Sequence, residues 1–277
     1  MGGQELIFSK ASRTGWPSII TLDSITLEGS MYLFLSVVLA AQFVTTQAPV
    51  RYGYKVVKSF THDPGAFTQG LEYRDGVLIE GTGLKGQSSL RRVKLETGQV
   101  LQKVDVPGQY FGEGITVLKD RILQLTWQSG VGFIYDRKTF KQIGQFKYPG
   151  EGWGLTNDGK QVFMSDGTSE IRVWDPVTLR EVRRITVRNG KNPIDQINEI
   201  EFVDGEIYAN VWQTDYILRI SPATGQLLGI IDMRGLLDSS QGADVLNGIA
   251  YDAVGKRLFV TGKLWPKIYQ VEITRVR

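Results

Sequence analysis

The 277 residues carry 32 Lys and Arg against 29 Asp and Glu, a net charge of +3, and no cysteine. Disulfide staples, thiol nucleophiles and cysteine-based zinc sites are therefore excluded, and a single histidine, His62, excludes a two-histidine metal centre and leaves any Ser-His-Asp triad dependent on that residue. The basic residues are scattered, which gives no footprint for nucleic acid, while 42% hydrophobic residues, 32 glycines, 12 Phe, 11 Tyr and 6 Trp describe a folded chain of short, turn-punctuated strands.

The first element is an apolar run at residues 32–41. It is too short for a bilayer span, which needs roughly 20 residues, and it has the length of a signal-peptide core. Ala40 and Ala41 then lie near a cleavage point before Gln42. The flank before the run lacks Lys and Arg, which a start at Met31 would explain; the other reading is a buried apolar segment. Residues 1–48 are thus expected to be a leader of an exported protein, periplasmic or secreted, or one held at the membrane if the segment stays uncleaved.

From about residue 54 the chain repeats. A polar or aromatic residue, Gly and an aliphatic residue recur as Gln69-Gly70-Leu71, Glu113-Gly114-Ile115, Trp153-Gly154-Leu155 and Asn247-Gly248-Ile249, with Asn198-Glu199-Ile200 as a copy lacking the Gly. The spacings are 44, 40, 45 and 49 residues. Each copy is followed by a turn and a second strand, a third strand, a further turn and a fourth strand, the last expected at 99–104, 141–146, 180–187 and 226–231. Four strands per unit of this length predict a propeller blade. The pattern gives an all-β, five-bladed propeller over 49–277 with four-stranded antiparallel blades. The fifth unit shows three strands, and residues 54–60 are expected to supply its fourth and close the ring. Residues 187–197 and 236–245 read as long loops.

The first strand of a blade lines the channel, so the residue before each Gly forms a ring at one mouth: Gln69, Glu113, Trp153, Asn198 and Asn247. The second-strand ends add Trp127, Asp166, Trp212 and Lys263, with Trp265 beyond. Structural equivalence alone would favour one residue type; an acid, amides and indoles point to a ligand site instead. Glu113, between Gly112 and Gly114 in an aromatic and aliphatic segment, would be partly desolvated, which suits acid/base work near neutral pH. It could equally accept backbone N–H groups. Gln69 and Asn198 could bridge blades, Lys263 could neutralise Glu113 or Asp166, Trp174 reads as inter-blade packing, and His62 as a turn cap. No spacing argues for a calcium site.

The segments Asp63-Pro-Gly-Ala-Phe-Thr-Gln-Gly-Leu-Glu72, Tyr110-Phe-Gly-Glu-Gly-Ile-Thr116, Leu125-Thr-Trp-Gln128, Gly150-Glu-Gly-Trp-Gly-Leu155, Ile197-Asn-Glu-Ile-Glu201, Ala209-Asn-Val-Trp212, Leu246-Asn-Gly-Ile-Ala250 and Thr261-Gly-Lys-Leu-Trp-Pro-Lys267 occur in that order. Together they resemble the plant-type glutaminyl-peptide cyclotransferases over roughly residues 54–273. The resemblance implies a five-bladed propeller enzyme that converts N-terminal Gln of peptides to pyroglutamate with loss of ammonia, without zinc or another cofactor. It places the acid/base carboxylate on Glu113, an aromatic pocket on Phe67, Trp127, Trp153 and Trp212, and polar contacts on Gln69, Asn198 and Lys263, with Lys267 the alternative lysine. The expected partners are peptides or proteins with N-terminal Gln, met by a monomer. Two other readings stay open: a non-catalytic propeller that binds a peptide or other ligand at this mouth, and a calcium-dependent propeller lactonase.

Overall fold

A computed structural model describes residues 49–238 and 242–276; the apolar run at 32–41 and the rest of the expected leader lie outside them. The described chain is all-β. One four-stranded antiparallel sheet comprises β2 (Thr68–Arg74), β3 (Val77–Thr82), β4 (Ser89–Lys94) and β5 (Val100–Asp105). A second comprises β6 (Gly112–Leu118), β7 (Arg121–Thr126), β8 (Val131–Asp136) and β9 (Gln142–Lys147). A third comprises β10 (Leu155–Asn157), β11 (Val162–Ser165), β12 (Glu170–Trp174) and β13 (Glu181–Thr186). The stretch 187–197, expected as a loop, instead carries a small hairpin of β14 (Arg188–Asn189) and β15 (Asn192–Pro193), turned at Gly190 with φ +61°.

The remaining strands are β16 (Ile197–Val203), β17 (Glu206–Val211), β18 (Tyr216–Ile220), β19 (Leu227–Asp232), β20 (Leu246–Asp252), β21 (Arg257–Gly262) and β22 (Lys267–Arg275). They are joined by β1 (Val50–Thr61), which runs antiparallel to β22 from Tyr52 to Thr61 and parallel to β19 at Val50–Tyr52. The fourth strands of the first four units fall within a residue of their expected starts.

Burial follows position in the sheet. Every residue of β6 is buried, whereas the outermost β5 and β9 alternate between exposed and half-buried. An innermost strand is covered on both faces, so its sequence carries no polar face. The apolar cores sit between sheets: Ile79 and Leu90 pack with Ile115, Ile122 and Phe133, and Leu123 and Leu125 with Val162, Met164 and Trp174. Phe163 and Val173 pack with Ile200 and Leu218, and Val203 and Ile231 with Ile249 and Val260. Phe259 and Ile268 pack with Leu71 and Leu78 of the first sheet.

The repeated Gly is explained by backbone approach. A Cβ on Gly114 would stand 2.5 Å from the Trp153 carbonyl, and one on Gly154 2.3 Å from that of Asn198. Only Gly allows neighbouring innermost strands so close, and Gly114 N–H donates to Trp153 O at 2.7 Å. In the copy without Gly, the Glu199 carboxylate accepts the backbone N–H groups of Leu71 (3.3 Å) and Ile249 (2.9 Å), bridging β2 and β20. Burial pushes its proton affinity well above the ordinary carboxylate range.

Candidate active site

The site residues stand where the innermost ladders are irregular. Register shifts fall between Thr68 and Gly70, Gly112 and Ile115, Ile197 and Ile200, and Leu246 and Ile249. A bulge adds a residue to one strand and re-aims its side chain. Gln69, Glu113, Asn198 and Asn247 lie within these bulges, and Trp153 immediately precedes β10.

A cavity of about 350 Å³ is lined by Phe67, Gln69, Glu113, Trp127, Trp153, Asn198, Trp212 and Lys263, with Phe111, Gln213, Asp244 and Val245. The eight residues that the resemblance places at the site therefore line one space, whereas Asn247 and Asp166 of the expected ring do not. Gln69, Glu113 and Asn198 are buried at its floor, while Trp127 and Trp212, each more than a third exposed, stand at its mouth.

The walls form an aromatic belt. Phe67 meets Phe111 edge-on at 6.2 Å between centroids, Phe111 meets Trp127 at 5.7 Å, and Trp153 meets Trp212 at 5.8 Å, all in the edge-to-face arrangement that ring quadrupoles favour. The Lys263 ammonium stands 5.0 Å from the Phe67 ring centroid. At the floor, the Asn247 amide donates to Gln69 Oε1 (3.3 Å) and to the Thr68 carbonyl (3.0 Å), which leaves Gln69 Nε2 to donate to Glu113 Oε1 at 3.0 Å. Asn247 thus orients the floor from behind rather than facing the cavity.

Burial pushes the Glu113 carboxyl well above the ordinary carboxylate range; the Lys263 ammonium opposes this and the Glu151 carboxylate adds to it. Burial likewise holds Lys263 below its ordinary value, against the pull of Glu113 and Asp244. A carboxyl and an amine whose affinities are drawn towards each other can pass protons near neutral pH.

Several residues belong elsewhere. Asp166 is tied to Arg172 at 2.6 Å, not to Lys263. Lys267 is exposed on β22 and takes no part in the lining, so the lysine at the cavity is Lys263. Trp265 is buried, donating to the Asp244 carbonyl at 2.8 Å. Trp174 packs against Phe146 and Tyr148. His62, expected as a turn cap, is buried between the Trp265 carbonyl and the Glu80 carboxylate, which also binds Thr68 and Arg91.

Phe111 and Asp244 had not been singled out, although Phe111 stands two residues before Glu113 just as Phe67 stands two before Gln69. That offset was a usable signal; nothing local marked Asp244 or Gln213. Among the described residues no group of three or more His, Cys, Asp or Glu is set to hold a metal ion.

An all-β scaffold whose bulged inner strands present one desolvated acid and amides, with a lysine just past β21, all within an aromatic belt, defines a small-molecule or peptide-terminus site of acid/base type. The family model described as glutamine cyclotransferase matches residues 30–273, reaching further toward the N-terminus than the motifs. The chain is 49% identical over 228 residues to a glutaminyl-peptide cyclotransferase of Arabidopsis thaliana, covering 79% of this chain and 71% of that protein. It is also similar to the crystal structure of Myxococcus xanthus glutaminyl cyclase, with a TM-score of 0.77, 34% identity, and coverage of 83% of this chain and all of that one. The chain belongs to the glutamine cyclotransferase family.

Proposed function

We propose that the protein is a glutaminyl-peptide cyclotransferase, an acyltransferase converting N-terminal Gln to pyroglutamate, with Glu113 as its proton carrier. The observation that carries the assignment is the buried Glu113, held by Gln69 at the floor of an aromatic cavity in a chain of this family. The amide stem of Gln fits between the rings of Trp153, Trp212 and Phe67. The neutral α-amine attacks Cδ of the same residue, forming the ring C–N bond and an oxyanion. Glu113 as carboxylate takes the proton released by the amine. It then returns that proton to the side-chain nitrogen, the second C–N bond breaks, and ammonia leaves. Asn198 and Lys263 serve as donors to the oxyanion in this reading; its support is that both line the cavity and that among the described residues no hydrogen bond or ion pair takes either side chain's polar head. Because the attack is intramolecular, holding the cyclic conformer supplies much of the acceleration.

The scaffold is, in this reading, a five-bladed propeller. Its support is that β2 contacts β6, β6 contacts β10, β10 contacts β16, β16 contacts β20 and β20 contacts β2, with β1 as the fourth strand of the last blade. The protein acts as a monomer and is exported through the apolar segment at 32–41.

Incubating the purified protein with a Gln-initiated dipeptide amide, with and without EDTA, tests this reading. Ammonia release that survives chelation is expected. Lactone hydrolysis that EDTA abolishes, with no ammonia release, would favour the calcium-dependent lactonase, and binding without release would favour a non-catalytic propeller.

A further inference from the structure

Glu151 is half-buried at the cavity rim and lies in the sequence two residues before Trp153, the same offset that Phe67 and Phe111 hold in their repeats. It does not line the cavity itself. Its Oε2 accepts the indole N–H of Trp127 at 2.7 Å and that of Trp153 at 2.9 Å, while Oε1 accepts Gln128 Nε2 at 3.0 Å. Trp127 follows β7 in the second sheet and Trp153 precedes β10 in the third, so one carboxylate joins rings from two sheets. Phe67, Phe111 and Trp127 touch in series, as do Trp153 and Trp212; among the described residues no ring contact joins the two series, and the Glu151 side chain bonds to a ring of each.

We propose that Glu151 is a positioning residue that clamps Trp127 and Trp153 into one fixed wall of the glutamine pocket. The clamp needs one oxygen that both indoles reach, and the Glu151 carboxyl supplies it. Burial works to raise the Glu151 proton affinity, but the hydrogen bonds from Trp153, Gln128 and Trp127 outweigh it and hold the carboxyl below its ordinary value. The neighbouring Asp166 is neutralised by Arg172 and does not compete for the indoles. Charge-assisted bonds to a single oxygen fix two side chains more tightly than packing alone, because a half-exposed indole otherwise samples several rotamers. The same charge acts on Glu113, which is faced by Lys263, Glu151 and the neutral Gln69. Tyr148 also feels the Glu113 charge.

The inference rests on the cyclotransferase reading, and two variants of the full chain separate geometry from charge. Glu151→Gln keeps an oxygen for both indoles and loses the charge; Glu151→Ala loses both. For a Gln-dipeptide amide, Glu151→Ala is expected to raise KM at least about tenfold with a smaller effect on kcat. It is also expected to weaken the near-ultraviolet circular dichroism of the Trp153–Trp212 pair, assigned with Trp212→Phe. Glu151→Gln is expected to restore KM to within about threefold of the parent, restore the dichroism, and move the acidic limb of kcat/KM to lower pH. An Ala variant with parental KM and dichroism would overturn the clamp. A parent without ammonia release would instead overturn the cyclotransferase reading, and the dichroism of the Ala variant would still decide whether the clamp exists.

Discussion

Replacing Glu113 by Gln separates chemistry from architecture more cleanly than any other change at the site. The amide has the shape of the carboxyl, and its oxygen can still accept from Gln69 Nε2, which lies 3.0 Å away in the parent. General acid–base catalysis contributes about 10²–10⁴-fold, so kcat should fall by that factor, or about 2.7–5.4 kcal/mol at 1.36 kcal/mol per decade. Stability should move the other way. Because burial raises the Glu113 pKa, the native state keeps a proton that the unfolded chain gives up near pH 4.5. The parent therefore loses stability as pH rises from that value towards the raised one, by about 1.4 kcal/mol per pH unit, and the Gln variant does not. At about 2–4 °C per kcal/mol, the variant's Tm advantage should grow by about 3–6 °C per pH unit across that window. Ammonia release from a Gln-dipeptide amide measures the first effect, and calorimetry at a series of pH values the second. Turnover at the parental rate would refute Glu113 as the proton carrier. A Tm difference independent of pH would refute the desolvation argument.

Lys263→Met removes both the proposed oxyanion donor and the charge that lowers the Glu113 pKa. Its kcat should fall about 10²–10³-fold, and the acidic limb of its kcat/KM profile should move to higher pH, opposite in sign to Glu151→Gln. Glu80→Ala strips the buried His62 and Arg91 of their shared carboxylate and should cost about 3–5 kcal/mol in denaturant unfolding. The Glu80 pKa is lowered to about 2, so its contribution is present above pH 4.5 and the gap to the variant should close as pH falls towards 2. The raised His62 pKa adds stability below about pH 6.5 that is lost as pH rises through its native value.

The sequence by itself determined the strand pattern and four of the five ring positions that line the cavity, Asn247 being the exception. Both follow from local rules: alternation and turn residues mark strands, and the Gly before each aliphatic residue marks where inner strands touch backbone to backbone. Gln69, Glu113, Trp153 and Asn198 were legible because each sits at the same rung of that repeat. The hairpin of β14 and β15 was not, since two-residue strands leave no period to detect.

What only the tertiary structure decided are the contacts made between sheets. The choice of Lys263 over Lys267 depends on where β21 ends relative to the cavity. The burial of His62 depends on Glu80 and Trp265, which lie 18 and 203 residues away along the chain. The Glu199 carboxylate that replaces a Gly is explained only by its reach to Leu71 and Ile249 on two other strands. The joining of Trp127 to Trp153 through Glu151 is of the same kind. A repeat records which rung a residue occupies, because that is set by its neighbours in sequence. Which side chains then meet across a gap is set by the packing of whole sheets.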